Sequence, residues 1–212
     1  MIDFSILTDH MEYFLEGLRV TVLTSLIALL CSFILGTIIA VMRIAPIKPL
    51  NWLGSIYVEF IRNIPVLVVV FFTYLAGSFS GMVAGTIGLT IYTAAFISEA
   101  IRAGILSVPK GQMEAARSTG LSYGQAMRLI ILPQAIKIVI PPLGNQFLNL
   151  VKNSSLLAVV AGGDLMYQGD LISAMTYVTF DTYIFVALFY LVLTIPLSIG
   201  VGYLEKRLAR SN

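Results

Sequence analysis

The sequence carries little charge, and this shortage excludes most classes of soluble protein. Lysine, arginine, aspartate and glutamate together make up 11% of the 212 residues, hydrophobic residues make up 58%, and the mean hydropathy is +0.92. An ordinary globular domain carries about 25% charged residues. The composition therefore predicts a membrane protein. The net charge of +2 and the lack of a basic run argue against a nucleic-acid partner.

The chain is also poor in reactive side chains, with one cysteine and one histidine. Cys31 has no second cysteine with which to form an internal disulfide, and His10 is equally isolated. We therefore expect no metal site and no catalytic residues, which argues against a membrane enzyme. The sequence also has no G-x-x-x-x-G-K-[ST] phosphate loop, so any nucleotide chemistry must come from a partner.

Long uncharged intervals indicate the membrane spans, because a helix needs about 20 mostly apolar residues to cross a bilayer. One such interval, between Arg62 and Glu99, is interrupted by the glycine-rich stretch GSFSGMVAGTIG, and we interpret it as two spans joined by a turn. The predicted spans are residues 20–42, 56–76, 86–107, 134–152 and 182–204, with a short, re-entrant segment after the fourth. The prediction is an all-α membrane protein in which residues 1–212 form a single five-span domain.

The distribution of basic and acidic residues predicts the orientation, since basic connecting segments stay in the cytoplasm. The basic residues of the predicted inner segments are Arg43, Lys48, Arg102, Lys110, Arg117, Arg128, Lys137, Lys206, Arg207 and Arg210. The acidic residues of the predicted outer segments are Asp3, Asp9, Glu12, Glu16, Asp164, Asp170 and Asp181. The pattern places the N-terminus outside and the C-terminus inside.

The longest predicted cytoplasmic loop, residues 108–133, contains helix signals of its own. Pro109 suits the first turn of a helix, and Gly120 suits the position after its end. Ser122 followed by Gln125 fits a capping box at the start of a second helix. Connections between bundle helices usually take about 2 to 8 residues. We therefore expect a helix-turn-helix at which another protein docks; a solvated connector is the alternative.

The same loop has a distinctive residue set: Glu114, Ala115, Ala116, Gly120, Ile130, Leu132 and Pro133. This set resembles the EAA loop of permease subunits of ATP-binding cassette (ABC) importers. The segments 59–71, 94–121, 132–147 and 151–160 resemble the polar amino acid uptake branch of that family. The likeness extends over about residues 17–207. The chain departs from the branch at Asn63-Ile64, where Gly-Thr is more common, and at Asn153, where aspartate is common.

The resemblance implies that a helix within residues 110–124 lies in a groove of a separate cytosolic ATPase subunit. The implied ATPase-coupling residues are Gly111, Glu114, Ala115, Ala116, Gly120 and Leu121. It also implies that the ATPase, rather than this chain, binds ATP and Mg²⁺, and that the chain itself needs no cofactor. The implied partners are a second permease subunit, for which a homodimer is the simpler hypothesis, and an extracytoplasmic solute-binding protein. The implied location is the bacterial inner membrane.

Polar residues within the spans indicate a substrate pathway, because such residues are costly in lipid unless they pair or line water. Asn145, Asn149 and Asn153 recur every fourth residue along predicted span four, and Thr86, Thr90 and Thr93 form a stripe on span three. The alternative is that these groups hydrogen-bond between helices. The resemblance implies pathway positions at Leu67, Thr93, Asn153 and Ser154. The candidate substrate-binding residues are Leu67, Thr93, Asn149, Asn153 and Ser154.

Two charged pairs recur at a spacing of three residues, Glu59 with Arg62 and Glu99 with Arg102. We interpret them as ion pairs that anchor helix ends, with a gate as the alternative. Residues 3–19 mix apolar and acidic side chains and predict an amphipathic helix on the outer membrane surface. A second hypothesis places this helix, with the acidic residues of 164–181, in the docking site of the solute-binding protein.

The rival function is an ion-coupled secondary amino acid carrier, which needs no ATPase. Such a carrier predicts an acid in the middle of a span and internal repeats. The sequence shows neither, since Glu99 lies near the inner end of its predicted span. The residues do not discriminate between basic, neutral polar and acidic amino acids as the substrate.

Overall fold

A computed structural model describes residues 2–209, and every regular element in that range is a helix. The helices are α1 (Ser5–Asp9), α2 (Met11–Ile44), α3 (Lys48–Arg62), α4 (Val66–Ala76), α5 (Gly81–Leu106), α6 (Lys110–Ser118), α7 (Tyr123–Ala126), a π-helical turn (Met127–Ile131), α8 (Leu132–Asn153), a 3₁₀ helix (Ser154–Val160), α9 (Leu165–Thr176) and α10 (Thr179–Ala209). The predicted all-α fold is confirmed. Arg210 of the predicted basic tail lies outside the described residues.

Four helices are long and apolar enough to cross a bilayer: Met11–Ile44, Gly81–Leu106, the continuous stretch Tyr123–Val160, and Thr179–Leu208. A fifth span results if α3 and α4, which meet at an angle of 107°, are counted together. The predicted five-span architecture is therefore present, with its second span bent.

The bend corrects the prediction of one continuous helix over residues 56–76. Helix α3 ends at Arg62, and the side-chain amide of Asn63 donates a hydrogen bond back to the Glu59 carbonyl at 2.6 Å. Proline has no N–H and disfavours a helical conformation in the residue before it. Pro65 therefore stops α3 and begins α4.

The first span also differs from its predicted limits of 20–42, because α2 begins at Met11. Its 34 residues extend over about 51 Å, well beyond the hydrocarbon core of about 30 Å. The length of an uncharged interval indicates only the part of a helix that lies in lipid and not the length of the whole helix. The backbone hydrogen bonds of α2 continue outside that part, through Glu12 and Glu16.

Helix α5 lies at the centre of the bundle and packs along α2 with small residues at the contact. A Cβ atom added to Gly36 of α2 would lie 2.8 Å from the Ala94 carbonyl oxygen of α5. Ala28, Ala94 and Ala95 are fully buried. Without a hydrophobic drive between helices in lipid, small residues stabilise the contact by letting the backbones approach.

We expect Gly36→Ala to separate α2 from α5, because the new methyl would clash with the Ala94 backbone oxygen as well as with the Ile97 side chain, and the backbone oxygen cannot rotate away. Overpacking of this kind costs about 1–3 kcal/mol, and thermal unfolding of the purified complex measures it. Gly200→Ala is the matched control, since a Cβ at Gly200 of α10 meets no atom within 4 Å. Equal stability of the two variants would contradict the close-packing argument.

The N-terminal segment, predicted as an amphipathic helix on the outer membrane surface, packs in part against other helices of the bundle. Ile6 and Phe14 are buried against α9 and α10, and the Phe14 ring stacks on Phe189 with centroids 5.3 Å apart. The backbone N–H of Asp3 donates to the Asp181 carboxylate at 2.9 Å. Part of the apolar surface of this segment therefore covers protein, while Phe4 and Leu15 remain exposed. Helix α9, which joins the same cluster, was not predicted.

Candidate functional site

The 108–133 loop folds as the predicted helix-turn-helix. Helix α6 is its first arm, and Gly120 has φ +91°, a left-handed conformation that favours glycine. The predicted capping box is confirmed: the Gln125 N–H donates to Ser122 Oγ at 3.3 Å, and the Ser122 N–H donates to Gln125 Oε1 at 2.8 Å. These local bonds define the turn between the arms.

The second arm runs through the π-helical turn directly into α8 without a flexible break. Val108, Ile131 and Ala135 form a buried cluster at the base of the loop, with Met113 and Met127 packed against it. The first arm is therefore fixed to a membrane span by apolar packing as well as by the chain. A displacement of α6 is expected to move α8 with it.

The exposed side of the loop presents small residues and one acid. Gly111, Glu114, Ala115 and Gly120 are exposed, and Leu121 is half-buried. A Cβ atom added at Gly111 or Gly120 would meet no atom within 4 Å. This surface is open to a partner. Ala116 differs from the other implied coupling residues because it is 6% exposed and contributes to packing within the loop.

Helix α8 carries an exposed polar row that differs in part from the predicted one. Its exposed residues Ile138, Pro142, Asn145, Asn149 and Lys152 follow one another at intervals of three or four. Asn153 is half-buried instead, because a strict spacing of four drifts around a helix of about 3.6 residues per turn. Lys152 thus takes the place predicted for Asn153 at the outer end of the row.

The other candidate substrate-binding residues lie on different elements and at different depths. Leu67 is half-buried in the first turn of α4, Thr93 of α5 is 3% exposed, and Ser154 is fully buried with its hydroxyl donating to the Val151 carbonyl at 2.7 Å. Asn149, by contrast, is exposed. Within one subunit these side chains do not share one accessible surface.

The threonine stripe of α5 forms hydrogen bonds within its own helix. Thr86 donates to the Met82 carbonyl at 2.7 Å, and Thr90 donates to the Thr86 carbonyl at 2.8 Å. These two hydroxyls therefore do not bridge neighbouring helices. Such bonding back to the preceding turn satisfies a hydroxyl inside an apolar bundle.

An ion cluster centred on Glu99 joins α2, α3 and α5. The predicted partner Arg102 donates from Nη2 to Glu99 Oε1 at 2.7 Å. Arg43 of α2 donates from Nη1 to Oε2 at 2.5 Å, and Arg62 Nη1 lies 3.8 Å from the same oxygen. Arg62 also lies over the Phe96 ring, 5.4 Å from its centroid. Three guanidinium groups thus surround one carboxylate.

The contact of Arg43 with Glu99 was not predicted, and the predicted partner of Arg62 was wrong. Among residues 2–209, the acid in ion-pairing distance of Arg62 is Glu99 rather than Glu59. Arg43 and Glu99 are 56 residues apart, so no helical spacing links them. The side chain of Arg43 is 5% exposed. The one sequence signal for this contact was the position of Arg43 close to the end of an apolar run.

Among the outer acids, Asp164 and Asp170 make contacts within the bundle, whereas Asp3, Asp9, Glu12 and Glu16 are exposed. Asp164 is fully buried at the start of α9, where its Oδ2 accepts the Met166 N–H at 3.0 Å. Asp170 accepts the Tyr183 hydroxyl at 2.5 Å. Asp164 therefore cannot contact a docked protein directly.

Comparison with known proteins gives consistent matches. Residues 19–210 match the family model described as "Binding-protein-dependent transport system inner membrane component". The chain is 68% identical over 212 residues to the probable glutamine ABC transporter permease protein GlnM of Bacillus subtilis (strain 168), covering 98% of each chain. It is 37% identical over 207 residues to the probable glutamine ABC transporter permease protein GlnP of the same strain, covering 94% of this chain and 95% of the relative. A crystal structure of an amino acid ABC transporter with histidines superposes with a TM-score of 0.92 at 36% identity, covering 98% of this chain and 99% of that one.

Proposed function

The chain belongs to the family of binding-protein-dependent transport system inner membrane components, and we propose that two copies of it form the translocation pathway of an importer for neutral polar amino acids such as glutamine. It is a permease subunit of an amino acid ABC importer and not an enzyme. Its partners include an ATPase and a binding protein, as the family description and the names of its relatives imply. ATP hydrolysis belongs, in this proposal, to the cytosolic ATPase.

The exposed surface of α6 carries this proposal. Gly111, Glu114, Ala115 and Gly120 form an open surface on a loop that is packed rigidly onto α8. We assign this surface to the ATPase groove: Glu114 supplies charge, and the small residues permit close approach. Closure of the ATPase would push α6 and transmit the motion to α8, so that access alternates between the two sides of the membrane.

The polar row of α8 supports a second permease subunit. Asn145, Asn149 and Lys152 are exposed on a helix of the bundle, and an amide or ammonium facing lipid is costly. A second copy, related by a twofold axis, would place two such rows opposite each other and enclose a polar path. We favour the homodimer because one surface then serves both subunits.

The same row supports a neutral substrate. The row offers two amides and one ammonium, which suit the carboxylate and the uncharged polar side chain of an amino acid such as glutamine. A cationic substrate would need acidic partners, and the exposed row of α8 has none. The names of the 68% and 37% identical relatives agree with this choice.

Basic residues support an orientation with the N-terminus outside and the C-terminus inside. Arg43, Arg102, Lys110 and Arg117 then lie on the inner side with the 108–133 loop. Asp164 and the start of α9 lie on the outer side, toward the binding protein. This arrangement places α6 where a cytosolic ATPase reaches it.

Replacing Asn149 by leucine is expected to lower glutamine uptake roughly tenfold, the effect of losing about one hydrogen bond, or 1.4 kcal/mol. Uptake of labelled glutamine by the complex in proteoliposomes measures the loss, and competition with unlabelled arginine and glutamate tests the substrate class. Ser198→Leu, at an exposed position of α10, is the control and should transport normally. Unchanged uptake by Asn149→Leu, or stronger competition by arginine than by glutamine, would overturn the proposed pathway or substrate, respectively.

A further inference from the structure

A buried polar junction lies at the outer end of the bundle, where α2, the 3₁₀ helix, α9 and α10 meet. Asp164 Oδ1 and the Tyr190 hydroxyl are both buried without a hydrogen-bond partner among the described residues. The Tyr190 hydroxyl is within interaction range of Asp164, Thr21 and Ser154. An unpaired buried polar atom costs about 1–3 kcal/mol. Both atoms belong to this junction, and their lack of partners calls for an explanation.

Thr21, Ser154 and the second oxygen of Asp164 already have partners, whereas Gln168 Oε1, one turn further along α9, is also buried without one among the described residues. Thr21 Oγ1 accepts the Leu165 N–H at 3.0 Å, and the Ser154 hydroxyl donates to the Val151 carbonyl at 2.7 Å. Asp164 Oδ2 accepts the Met166 N–H at 3.0 Å. The tyrosine hydroxyl can donate one proton, but a buried carboxylate also carries a full charge that this single bond does not neutralise.

Among residues 2–209, no arginine or lysine is one of the groups that shift the pKa of Asp164; backbone N–H groups at the start of α9 lower that pKa, but burial outweighs them. Asp170 of α9 acts on Asp164 with a like charge, and it is itself bonded to Tyr183 of α10. On α2, the exposed Arg19 lies 3.9 Å from Glu16. From α8, the exposed Lys152 lines a cavity of about 480 Å³ that Tyr190 also lines. Burial, with the smaller effect of Asp170, raises the pKa of Asp164 to about 7.

We propose that Asp164 is a proton-binding site, protonated on Oδ1 in the folded permease and donating that proton to the Tyr190 oxygen. One proton removes the charge of the carboxylate and allows Asp164 Oδ1 to hydrogen-bond to the Tyr190 oxygen. It does so without needing a cavity large enough for a water molecule or an ion. A metal ion fits less well, because Thr21, Ser154 and Asp164 are fully buried and two of their oxygens are already engaged. The hydrogen bond from protonated Asp164 to Tyr190 joins the start of α9 to α10. It lies beside the segment that connects the outer ends of the spans formed by α8 and α10.

The direction of the pH effect follows from linkage. The folded state binds this proton up to about pH 7, whereas an unfolded aspartate loses it near its ordinary pKa of 3.8. The contribution of Asp164 to stability is therefore greatest in acid. It declines as pH rises toward the folded pKa and changes no further above it.

Infrared spectroscopy of the permease–ATPase complex in nanodiscs tests the site, because a protonated carboxyl has its own C=O stretching band. In the wild type, the Asp164 band should be present in mildly acidic buffer and disappear as pH is raised through about 7. Asp164→Asn should remove this band. Tyr190→Phe should keep it but shift it to higher frequency, because the carboxyl loses its acceptor. Asp170→Asn is the matched control and should retain the band in acid.

Two results would overturn the proposal. The first is a wild-type spectrum with no carboxyl band that titrates near neutrality, or a band that persists in Asp164→Asn. The second is a band that is present in choline chloride and absent in sodium chloride, which would assign a sodium ion to the junction. If the Asp164→Asn complex does not assemble, the pH titration of the wild-type carboxyl band and the frequency shift of that band in Tyr190→Phe still test the proposal. None of these readouts depends on the identity of the transported amino acid.

Discussion

Replacing Glu114 by lysine is expected to abolish uptake and leave the membrane-spanning bundle intact. Glu114 is exposed on α6, so no contact within the bundle depends on its carboxylate. At a docking surface, reversing a charge sets like charges against each other and costs several kcal/mol. A loss of about 3 kcal/mol corresponds to a decrease of more than a hundredfold in productive coupling. Paired assays of uptake and ATP hydrolysis in proteoliposomes measure that decrease.

The control for this variant is Gln112→Lys, which adds a charge to the same exposed helix about 200° around its axis from Glu114. It should transport at nearly the wild-type rate. Thermal unfolding of both variants should match that of the wild type, because neither side chain is buried. Normal coupling in Glu114→Lys would exclude the exposed side of α6 as the ATPase contact, even though the family assignment would stand.

Removing the carboxylate of Glu99 is expected to destabilise the permease more than any other single change in the ion cluster. Glu99→Ala leaves Arg43 and Arg102 without their shared acceptor, and the side chain of Arg43 is 5% exposed. Leaving one partner of a buried ion pair uncompensated costs about 3–5 kcal/mol. The measurement is the thermal unfolding midpoint of the purified complex, together with the fraction that elutes as a single species.

The comparison variant is Arg43→Met, which we expect to cost much less. Glu99 would keep Arg102 at 2.7 Å and Arg62 at 3.8 Å, and the change also removes a buried guanidinium whose Nε has no partner among the described residues. Replacing a buried charge by an apolar side chain of similar size is often neutral. If Arg43→Met were as damaging as Glu99→Ala, then the Arg43–Glu99 bond, rather than the excess of positive charge, would dominate the cluster.

Local patterns predicted the parts of the molecule that depend on neighbouring residues. The capping box at Ser122 and Gln125 was predicted because both of its hydrogen bonds form within four consecutive residues. The turn at Gly120 was predicted because its positive φ is a property of one residue. The Glu99–Arg102 pair was predicted because a spacing of three places two side chains on the same face of a helix, although the same spacing did not pair Glu59 with Arg62.

Predictions were wrong where a tertiary contact, and not the local sequence pattern, determined the environment of a residue. The N-terminal segment has an amphipathic pattern, but the pattern does not say whether its apolar face covers lipid or protein; Phe14 lies against Phe189. Asp164 reads as a surface acid in an outer segment, yet packing of α9 against α2 and α10 buries it completely. The regular spacing of Asn145, Asn149 and Asn153 located only part of the exposed face of α8, because the neighbours of that helix leave Asn145 and Asn149 exposed and half-bury Asn153.

The sequence by itself determined that the chain is a helical membrane protein with spans near their observed places, and that the 108–133 loop is a helix-turn-helix. Hydropathy and backbone hydrogen bonding act over contiguous residues, so these properties follow directly from the local amino-acid sequence. Only the tertiary structure decided that Arg43 and Arg62 meet Glu99, that Asp164 lies beside Tyr190, and which sides of α6 and α8 are open to partners. Those contacts join residues as far as 56 positions apart, and their energies depend on distance and burial in space, which no spacing along the chain specifies.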